Sequence, residues 1–292
     1  MSYKITVLVE NSVPTGSPLE AEHGLSFFVE TPESHFLFDC GHTGAAWRNA
    51  ARMGVDLSTV QFVVLSHSHY DHAGGFPSLL EYVKPKEVYI GTDFWQEKFS
   101  WSRENDQYLY RGCGFSEADL LSWNIEQKVC RDILPLDSYA QLITGFSCRY
   151  AFEIIPEKFR RGEAKAPDPF DDEICLMLKE HDGYALIVGC SHKGILNIVY
   201  SVKDRSGSPI RHVIGGIHLS GESEDRMGQT LDELHNLGVK KLNLCHCSGA
   251  NLPDKICTGS VIEISGERML VFQHALQSVG KFCRNQLWPG DC

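Results

Sequence analysis

Short apolar runs separated by turn residues dominate the first third of the chain. Runs rich in β-branched and aromatic residues occupy positions 5–9, 26–30, 36–38, 62–65 and 87–90, and polar or turn-forming residues bound each of them. This pattern is typical of strands. Between the runs, positions 44–53 and 76–83 space their apolar residues as a helix does, the second after Gly74-Gly75. The pattern predicts a strand-rich half with two helices.

A similar alternation returns in the last 120 or so positions. Apolar runs at 174–179, 184–188, 213–214, 241–244 and 261–264 predict strands, and helical spacing at 194–203 and 224–237 predicts two more helices. The chain therefore reads as two similar halves, each combining strands with helices. We expect an α+β fold.

The middle of the chain, at about 93–172, is less regular and is rich in aromatic and charged residues. We interpret it as an insertion or lid over the functional site, within a single domain that spans residues 1–292. The alternative is a surface subdomain that packs its aromatic side chains into a small core of its own.

Composition narrows the choice of partner and compartment. A length of 292 residues with 42% hydrophobic content suffices for one large core, and a net charge of -11 disfavours nucleic acid or an anionic membrane as the main partner. We therefore expect a small-molecule substrate. Eleven scattered cysteines fit reduced thiols. Without a signal-peptide pattern or an apolar run of ~18–20 residues, we expect a cytoplasmic protein.

Three histidines and an aspartate follow directly on the predicted strand at 62–65: His67, His69, Asp71 and His72. While the chain stays extended, His67 and His69 point the same way, and Asp71 and His72 fall in the turn before a helix, where they can face a second point. Imidazole nitrogen and carboxylate oxygen suit zinc, iron or manganese, and the sequence shows no soft thiolate cluster that would demand zinc. The run predicts a metal site.

This run resembles the His-x-His-x-Asp-His signature of the metallo-β-lactamase superfamily. The resemblance extends to Phe38-Asp39-Cys40-Gly41, which matches the superfamily's earlier aspartate, and to His246, which matches its last histidine. It implies a four-layer αββα sandwich with the metal site at one edge of its two sheets. It also implies that Asp39 orients a ligand histidine from behind the site and that His246 is a ligand.

The chain departs from that pattern after position 184. The superfamily's further histidine, in a Gly-His-Thr-Pro-Gly-like turn, is not visible, and Cys190 stands where its bridging aspartate is expected. We expect His192 to be the compensating ligand, with a Cys190 thiolate as the alternative. His218 fits a ligand, a proton shuttle or a substrate contact, and we place substrate contact first. His23 has the same ambiguity.

Four segments, at 8–11, 21–26, 188–195 and 215–219, are similar to a subfamily labelled as 7,8-dihydropterin-6-methyl-4-(β-D-ribofuranosyl)aminobenzene-5'-phosphate synthase or as metal-dependent hydrolase. The resemblance implies one or two divalent cations, with zinc the first choice and iron or manganese the alternatives. One would be held by His67, His69 and His192, and the other by Asp71, His72 and His246.

We expect a hydrolase of a small-molecule ester or phosphoester that uses a metal-activated hydroxide, with Asp71 and His218 as catalytic residues. Phosphate could be bound by Arg160, Arg161 or Lys193. The alternative is a pterin-transferring synthase with a diphosphate leaving group, in which Phe94, Trp95 or Trp101 would stack on the heterocycle. An iron-dependent redox protein and a non-catalytic binding module are further alternatives.

Overall fold

Strands outnumber helices in the computed structural model, which describes residues 2–249, 255–265 and 268–273. In chain order the strands are β1 (Ser2–Val9), β2 (Ser26–Glu30), β3 (His35–Phe38), β4 (Phe62–Val64), β5 (Glu87–Ile90), β6 (Lys98–Ser102), β7 (Gln107–Tyr110), β8 (Glu126–Val129), β9 (Ile133–Pro135), β10 (Ala140–Ile143), β11 (Phe159–Arg161), β12 (Ala166–Pro167), β13 (Cys175–Glu180), β14 (Gly183–Val188), β15 (Ile210–Gly215), β16 (Lys241–Leu244), β17 (Ser260–Ser265) and β18 (Arg268–Gln273). The helices are α1 (Ala45–Met53), α2 (Tyr70–Ala73), α3 (Phe76–Leu79), α4 (Glu117–Ser122), α5 (Ile195–Ser206) and α6 (Glu224–Asn236), with 3-10 turns at Leu57–Thr59 and His246–Ser248.

Two mixed sheets form the body of the molecule. The first has the strand order β18-β17-β1-β2-β3-β4-β5-β8, and the second has the order β16-β15-β14-β13-β10-β9. Strands β3, β4, β5 and β8 run parallel to one another, and so do β14, β15 and β16. Parallel neighbours need crossover connections, so their carboxyl ends lie at one edge of each sheet. The loops that follow these strands are therefore placed to share a site.

Alternation along the strands separates the apolar side chains into three layers of core. In β3, Phe36 enters the core between the sheets, whereas its neighbour Leu37 packs with Trp47 of α1 on the outer face. In β13, Leu176 faces the inner core and Met177 packs against α5 and α6 on the other outer face. This period of two is that of a strand buried on both faces. The result is the four-layer αββα sandwich expected from the sequence.

The predicted elements are confirmed, with small differences at their ends. The helix predicted at 76–83 is assigned only as Phe76–Leu79 and continues as hydrogen-bonded turns to Val83. Its end is set by Pro85, because the residue before a proline is driven toward extended backbone. Within the described ranges, no helix has the length and apolar character needed to span a membrane.

The segment at 93–172 is divided between the sandwich and a separate small sheet. Strand β8 joins the first large sheet, and β9 and β10 join the second. The rest supplies a four-stranded antiparallel sheet of order β12-β11-β6-β7. The part that stands apart from the sandwich is thus built from two pieces of chain, one before and one after the strands that belong to the body.

A buried ion network ties the small sheet to the sandwich. Lys98 of β6 is fully buried, and its Nζ donates to Asp168 Oδ1 at 3.1 Å and to Asp172 Oδ1 at 2.7 Å. The other carboxylate oxygen of Asp172 accepts from the backbone N–H of Ser68 at 2.9 Å. Buried charges are tolerated when they are paired and hydrogen-bonded. The network therefore fixes the small sheet against the loop that carries His67 to His72.

We expect Lys98→Met to lower the free energy of unfolding by about 3–5 kcal/mol, because it leaves two buried carboxylates without their cation. Urea unfolding measures the change. Lys128→Met is the matched control, since Lys128 forms exposed pairs with Glu87 and Glu126 and should lose far less. Equal losses in the two variants would contradict the network's role.

Candidate metal centre

The loop after β4 presents its histidines and aspartate to two neighbouring points. His69 keeps an extended backbone (φ -69°, ψ 146°) and α2 begins at the next residue. His67 and His69 therefore lie on extended chain, with His67 Nε2 and His69 Nδ1 3.2 Å apart, while Asp71 and His72 lie within the helical turn. The change from strand to helix inside six residues is what separates the two pairs.

His192 completes the first set of possible ligands. It follows β14, and its ring nitrogens lie with those of His67 and His69 in a buried group whose ligand atoms are all within 4.8 Å of one another. Among the described residues, His69 Nε2 and both ring nitrogens of His192 are buried without a hydrogen-bond partner. Such unpaired buried atoms are costly. A divalent cation can bind only one nitrogen of each ring, so it would satisfy one of the two unpaired nitrogens of His192 together with a nitrogen of His69, and the donor set fits a metal.

Burial also sets the charge state of this first set. It holds the pKa of His67 and of His192 well below the ordinary value, and it lowers the pKa of His69 to about 3. The three imidazoles are therefore neutral at pH 7. The neutral ring is the form that binds a metal.

The second set consists of Asp71, His72 and His246. The Nε2 atoms of His72 and His246 lie 3.1 Å apart, and Asp71 Oδ2 is 3.4 Å from His246 Nε2 and 3.9 Å from His72 Nε2. His23 stands at the solvent side of this set, with Nε2 3.2 Å from Asp71 Oδ2 and its ring stacked on that of His246. Its side chain is 57% exposed, so the second set has an outlet to water.

Asp39 lies behind the second set and fixes the ring of His72. Its Oδ2 accepts from His72 Nδ1 at 2.6 Å and from Ser66 Oγ at 2.8 Å, and its Oδ1 accepts from Ser66 N at 2.7 Å. Burial lowers the pKa of His72, but the carboxylates of Asp39 and Asp71 outweigh it and raise that pKa to about 9. Because Nδ1 is held by Asp39, only Nε2 is directed into the site.

Two further carboxylates position the late histidines, and sequence reasoning missed both. Glu10 Oε2 accepts from the backbone N–H of His246 at 3.1 Å, while Asn11 Oδ1 lies 2.9 Å from His246 Nδ1. Glu173 Oε1 accepts from the backbone N–H of His192 at 2.7 Å, and burial raises the pKa of Glu173 to about 7. The only signal in the sequence was that 8–11 belongs to a segment shared with the resembling subfamily.

Two thiols meet beside the second set, which corrects the expectation that the chain holds no thiolate cluster. Cys190 Sγ is 3.1 Å from His72 Nε2, and its ligand atom lies within 4.8 Å of those of His67 and His72. Cys190 also groups with His218 and Cys247. Burial raises the pKa of the Cys190 thiol. Cys190 and Cys247 are distant in sequence, and only the adjacency of β14, β15 and β16 brings their loops together.

Aromatic side chains from beyond β10 cover the first set. The ring of Phe170 stacks on His192 at 3.9 Å between centroids, and Phe159 of β11 lies 5.1 Å from His192, 5.6 Å from His69 and 5.9 Å from His218. His218 is therefore under the aromatic cover. A single sequence offers no pattern that marks these two phenylalanines.

Each of the three aromatics that the synthase alternative would stack on a heterocycle packs against another aromatic side chain. Phe94 is buried in the core of the helical layer that contains α1, with Trp95 packed against it. Trp101 lies on the β6–β7 hairpin against Tyr108, and both are partly exposed.

Two of the three expected phosphate-binding cations are paired with Asp171, whereas Arg160 Nε is buried without a hydrogen-bond partner among the described residues. Lys193 Nζ lies 2.8 Å and Arg161 Nη1 3.7 Å from the carboxylate of Asp171. Lys158 is exposed, and its Nζ lies 5.0 Å from the ring centroid of Phe159, next to the cover. His181 lies in the exposed turn between β13 and β14.

An αββα sandwich that gathers histidine, aspartate and cysteine ligand atoms at one edge of its sheets defines a candidate metalloenzyme. Residues 19–106 match the family model of the metallo-beta-lactamase superfamily. A crystal structure described as a metal-dependent hydrolase of the beta-lactamase superfamily is 30% identical, with a TM-score of 0.71 over 85% of this chain and 89% of that one. The chain belongs to the metallo-β-lactamase superfamily.

Two other proteins are similar over most of the chain. The 7,8-dihydropterin-6-methyl-4-(beta-D-ribofuranosyl)-aminobenzene-5'-phosphate synthase of Methanocaldococcus jannaschii is 28% identical over 84% of this chain and 87% of its own length. A diphosphatase of the PhnP family is 12% identical, with a TM-score of 0.51 over 90% of this chain and 98% of that one. The second likeness concerns the fold alone.

We expect Asp39→Asn to weaken divalent-cation binding by roughly 10–100-fold, the effect typical of removing a partner that orients a ligand histidine. Both carboxylate oxygens of Asp39 accept hydrogen bonds, from Ser66 and from His72. An asparagine has only one oxygen, and its NH2 group cannot accept, so at least one of these hydrogen bonds is lost. Competition with a chromophoric chelator measures the affinity. Asp56→Asn, at an exposed carboxylate that caps the 3-10 turn at Leu57–Thr59, is the control. An unchanged affinity in Asp39→Asn would refute the role.

Proposed function

We propose that the chain is a metal-dependent hydrolase of a small-molecule ester or phosphoester. The observation that carries the proposal is the pairing of two adjacent ligand sets, one enclosed by Phe159 and Phe170 and the other open to water at His23. Water can reach the second set from the side of His23, while Asp39 holds the ring of His72 in place. The relative described as a metal-dependent hydrolase supports the same class of reaction.

The ligands divide between the two sets. His67, His69 and His192 would hold one divalent cation. Asp71, His72 and His246 would hold the other. When bound, such a pair lowers the pKa of a water toward ~7 and stabilises the negative charge that develops on the substrate oxygen. Nitrogen and carboxylate donors suit zinc, iron and manganese alike. Zinc is our first choice, and iron and manganese are the alternatives.

The chain's own residues supply the route for the proton and the place for the substrate. Asp71 has two carboxylate oxygens, so one can bind the cation while the other accepts the proton of the attacking water, and His23, whose Nε2 lies 3.2 Å from Oδ2, can pass that proton to solvent through its exposed ring. Phe159 and Phe170 exclude water from the side of His192. Lys158 stands at the rim of this cover as an unburied cation for a phosphoester. His218, expected to contact substrate, lies beneath Phe159.

A pterin-transferring synthase is the second candidate. It draws on the 28% identical relative from Methanocaldococcus jannaschii, whose name describes such a synthase. In that reaction the same centre would bind a diphosphate leaving group. The hydrolase is favoured because the second set opens to water at His23, and because Phe94 is buried in the core beside α1 with Trp95 packed against it. An iron-dependent redox protein is the further alternative.

We expect the metal-loaded protein to cleave members of a panel of carboxylic esters and phosphodiesters, with one oxygen of the product drawn from solvent. Reaction in oxygen-18 water, read by mass spectrometry, measures this directly. A chelator should abolish cleavage, and added divalent cation should restore it. His69→Ala removes a proposed ligand, so its rate of cleavage should fall by more than the roughly 10–100-fold that is typical when a residue orienting a ligand is removed. His181→Ala should not change the rate.

The same assay separates the alternatives. Consumption of a pterin diphosphate together with an arylamine, without cleavage of any panel member, would establish the synthase instead. Stoichiometric zinc in colourless, active protein would exclude the hypothesis of an iron-dependent redox protein.

Lys158→Ala should raise KM for a phosphodiester by roughly 10-fold or more, the size expected for loss of one charge-assisted hydrogen bond, and leave KM for a neutral ester unchanged. Steady-state kinetics on both substrates give the comparison. Lys165→Ala is a matched control, since Lys165 also lies over a phenylalanine ring of the small sheet, that of Phe99. A similar rise with both substrates would show that Lys158 only supports the cover.

A further inference from the structure

Three neighbouring parallel strands each deliver one metal-ligating side chain to the same edge of the second sheet. Strands β14, β15 and β16 lie side by side, and Cys190, His218 and Cys247 follow them in that order. Adjacent strands are about 4.8 Å apart, so side chains in the loops directly after them can converge on one point. Neither His218 nor Cys247 belongs to the two ligand sets described above.

The ligand atoms of these three residues do converge. The two Sγ atoms and a ring nitrogen of His218 all lie within 4.8 Å of one another, with Cys190 buried and the other two half-buried. Ligands at ~2.0–2.3 Å from a tetrahedral zinc ion are about 3.3–3.8 Å apart, so modest side-chain rotations close the remaining gap.

Two features accompany the convergence of these ligand atoms. His218 Nδ1 is buried and has no hydrogen-bond partner among the described residues. In addition, left-handed backbone occurs at a non-glycine residue in each of the three loops: Ser191 (φ 57°), His218 (φ 51°) and His246 (φ 54°). Each of these is a member of the cluster or its neighbour in sequence. Backbone strain that recurs in this way is characteristic of functional sites.

We propose that Cys190, His218 and Cys247 form a further cation site for a thiolate-preferring divalent ion, of which zinc is the type. Two thiolates, each having released its proton to solvent, balance the charge of the ion, and sulfur donors select zinc or iron over magnesium or calcium. The site adjoins the histidine centre through Cys190, whose Sγ lies 3.1 Å from His72 Nε2. Cys190 is thereby the residue that joins the two.

Cobalt(II) reports on this site without any assay of activity, because thiolate ligands give it an intense near-ultraviolet charge-transfer absorption that imidazole and carboxylate do not. The chelator-treated, reduced full chain is titrated with cobalt(II), and bound equivalents and absorption are recorded together. We expect Cys247→Ala and His218→Ala each to bind one equivalent fewer than the unsubstituted chain, with Cys247→Ala losing at least half of the charge-transfer intensity.

Matched variants control for folding and for the histidine centre. Cys257→Ala removes a half-buried thiol near Ser260, outside the cluster, and should change neither quantity. Cys247→Ser keeps the size of the side chain and should behave as Cys247→Ala. His69→Ala should lose a different equivalent and retain the charge-transfer absorption, so failure of the proposed hydrolase centre and failure of the thiolate site give different results.

Three results would overturn the proposal. One is full stoichiometry and an unchanged spectrum in both Cys247→Ala and His218→Ala. Another is loss of the charge-transfer absorption in His69→Ala, which would assign the thiols to the histidine centre. The third is a Cys190–Cys247 disulfide in the protein as isolated, found by thiol counting and peptide mapping.

Discussion

The buried carboxylate of Asp39 is the constraint on which the candidate centre depends. It has left-handed backbone (φ 62°) and no exposed surface, and its two oxygens accept from Ser66 and His72. A buried carboxylate is tolerated only while such partners remain. Asp39 therefore holds together the end of β3, the end of β4 and α2. If they separated, its buried carboxylate would lose its hydrogen-bond partners. The direction of the His72 ring, and with it the second ligand set, follows from that restriction.

The strands of the sandwich and the first ligands could be predicted from the sequence because the patterns that mark them lie within short stretches of the chain. Period-two burial marks the strands, and the extended chain at His67 and His69 followed by a turn at Asp71 and His72 is readable from spacing. Contacts between distant segments are not readable in this way. Glu10 supports His246 from 236 positions away, and Phe159 reaches the first set from a short strand with no apolar alternation.

Backbone strain also escapes a sequence pattern. Ser191, His218 and His246 have left-handed backbone, which is found mostly at glycine. Their residue types therefore do not predict it. The sheets hold these loops in place: Gly216 N donates to Gly189 O, and Cys245 N donates to Gly215 O, both at 3.1 Å. The same cross-strand bonds gather Cys190 and Cys247, so the thiol cluster is a product of topology rather than of a motif.

These supports divide the molecule into a part that fixes the centre and a part that can vary around it. The ligand-bearing loops are tied by Asp39, Glu10 and Glu173 to the sandwich, whose core packs on both faces of each large sheet. The cover comes from the small sheet, which is joined to that body through the Lys98 network. The small sheet reaches the first set through Phe159, so its other residues can differ without changing a ligand. Superfamily membership therefore identifies the fold and a candidate metal-binding edge, and it leaves both the reaction and the substrate to be found by experiment.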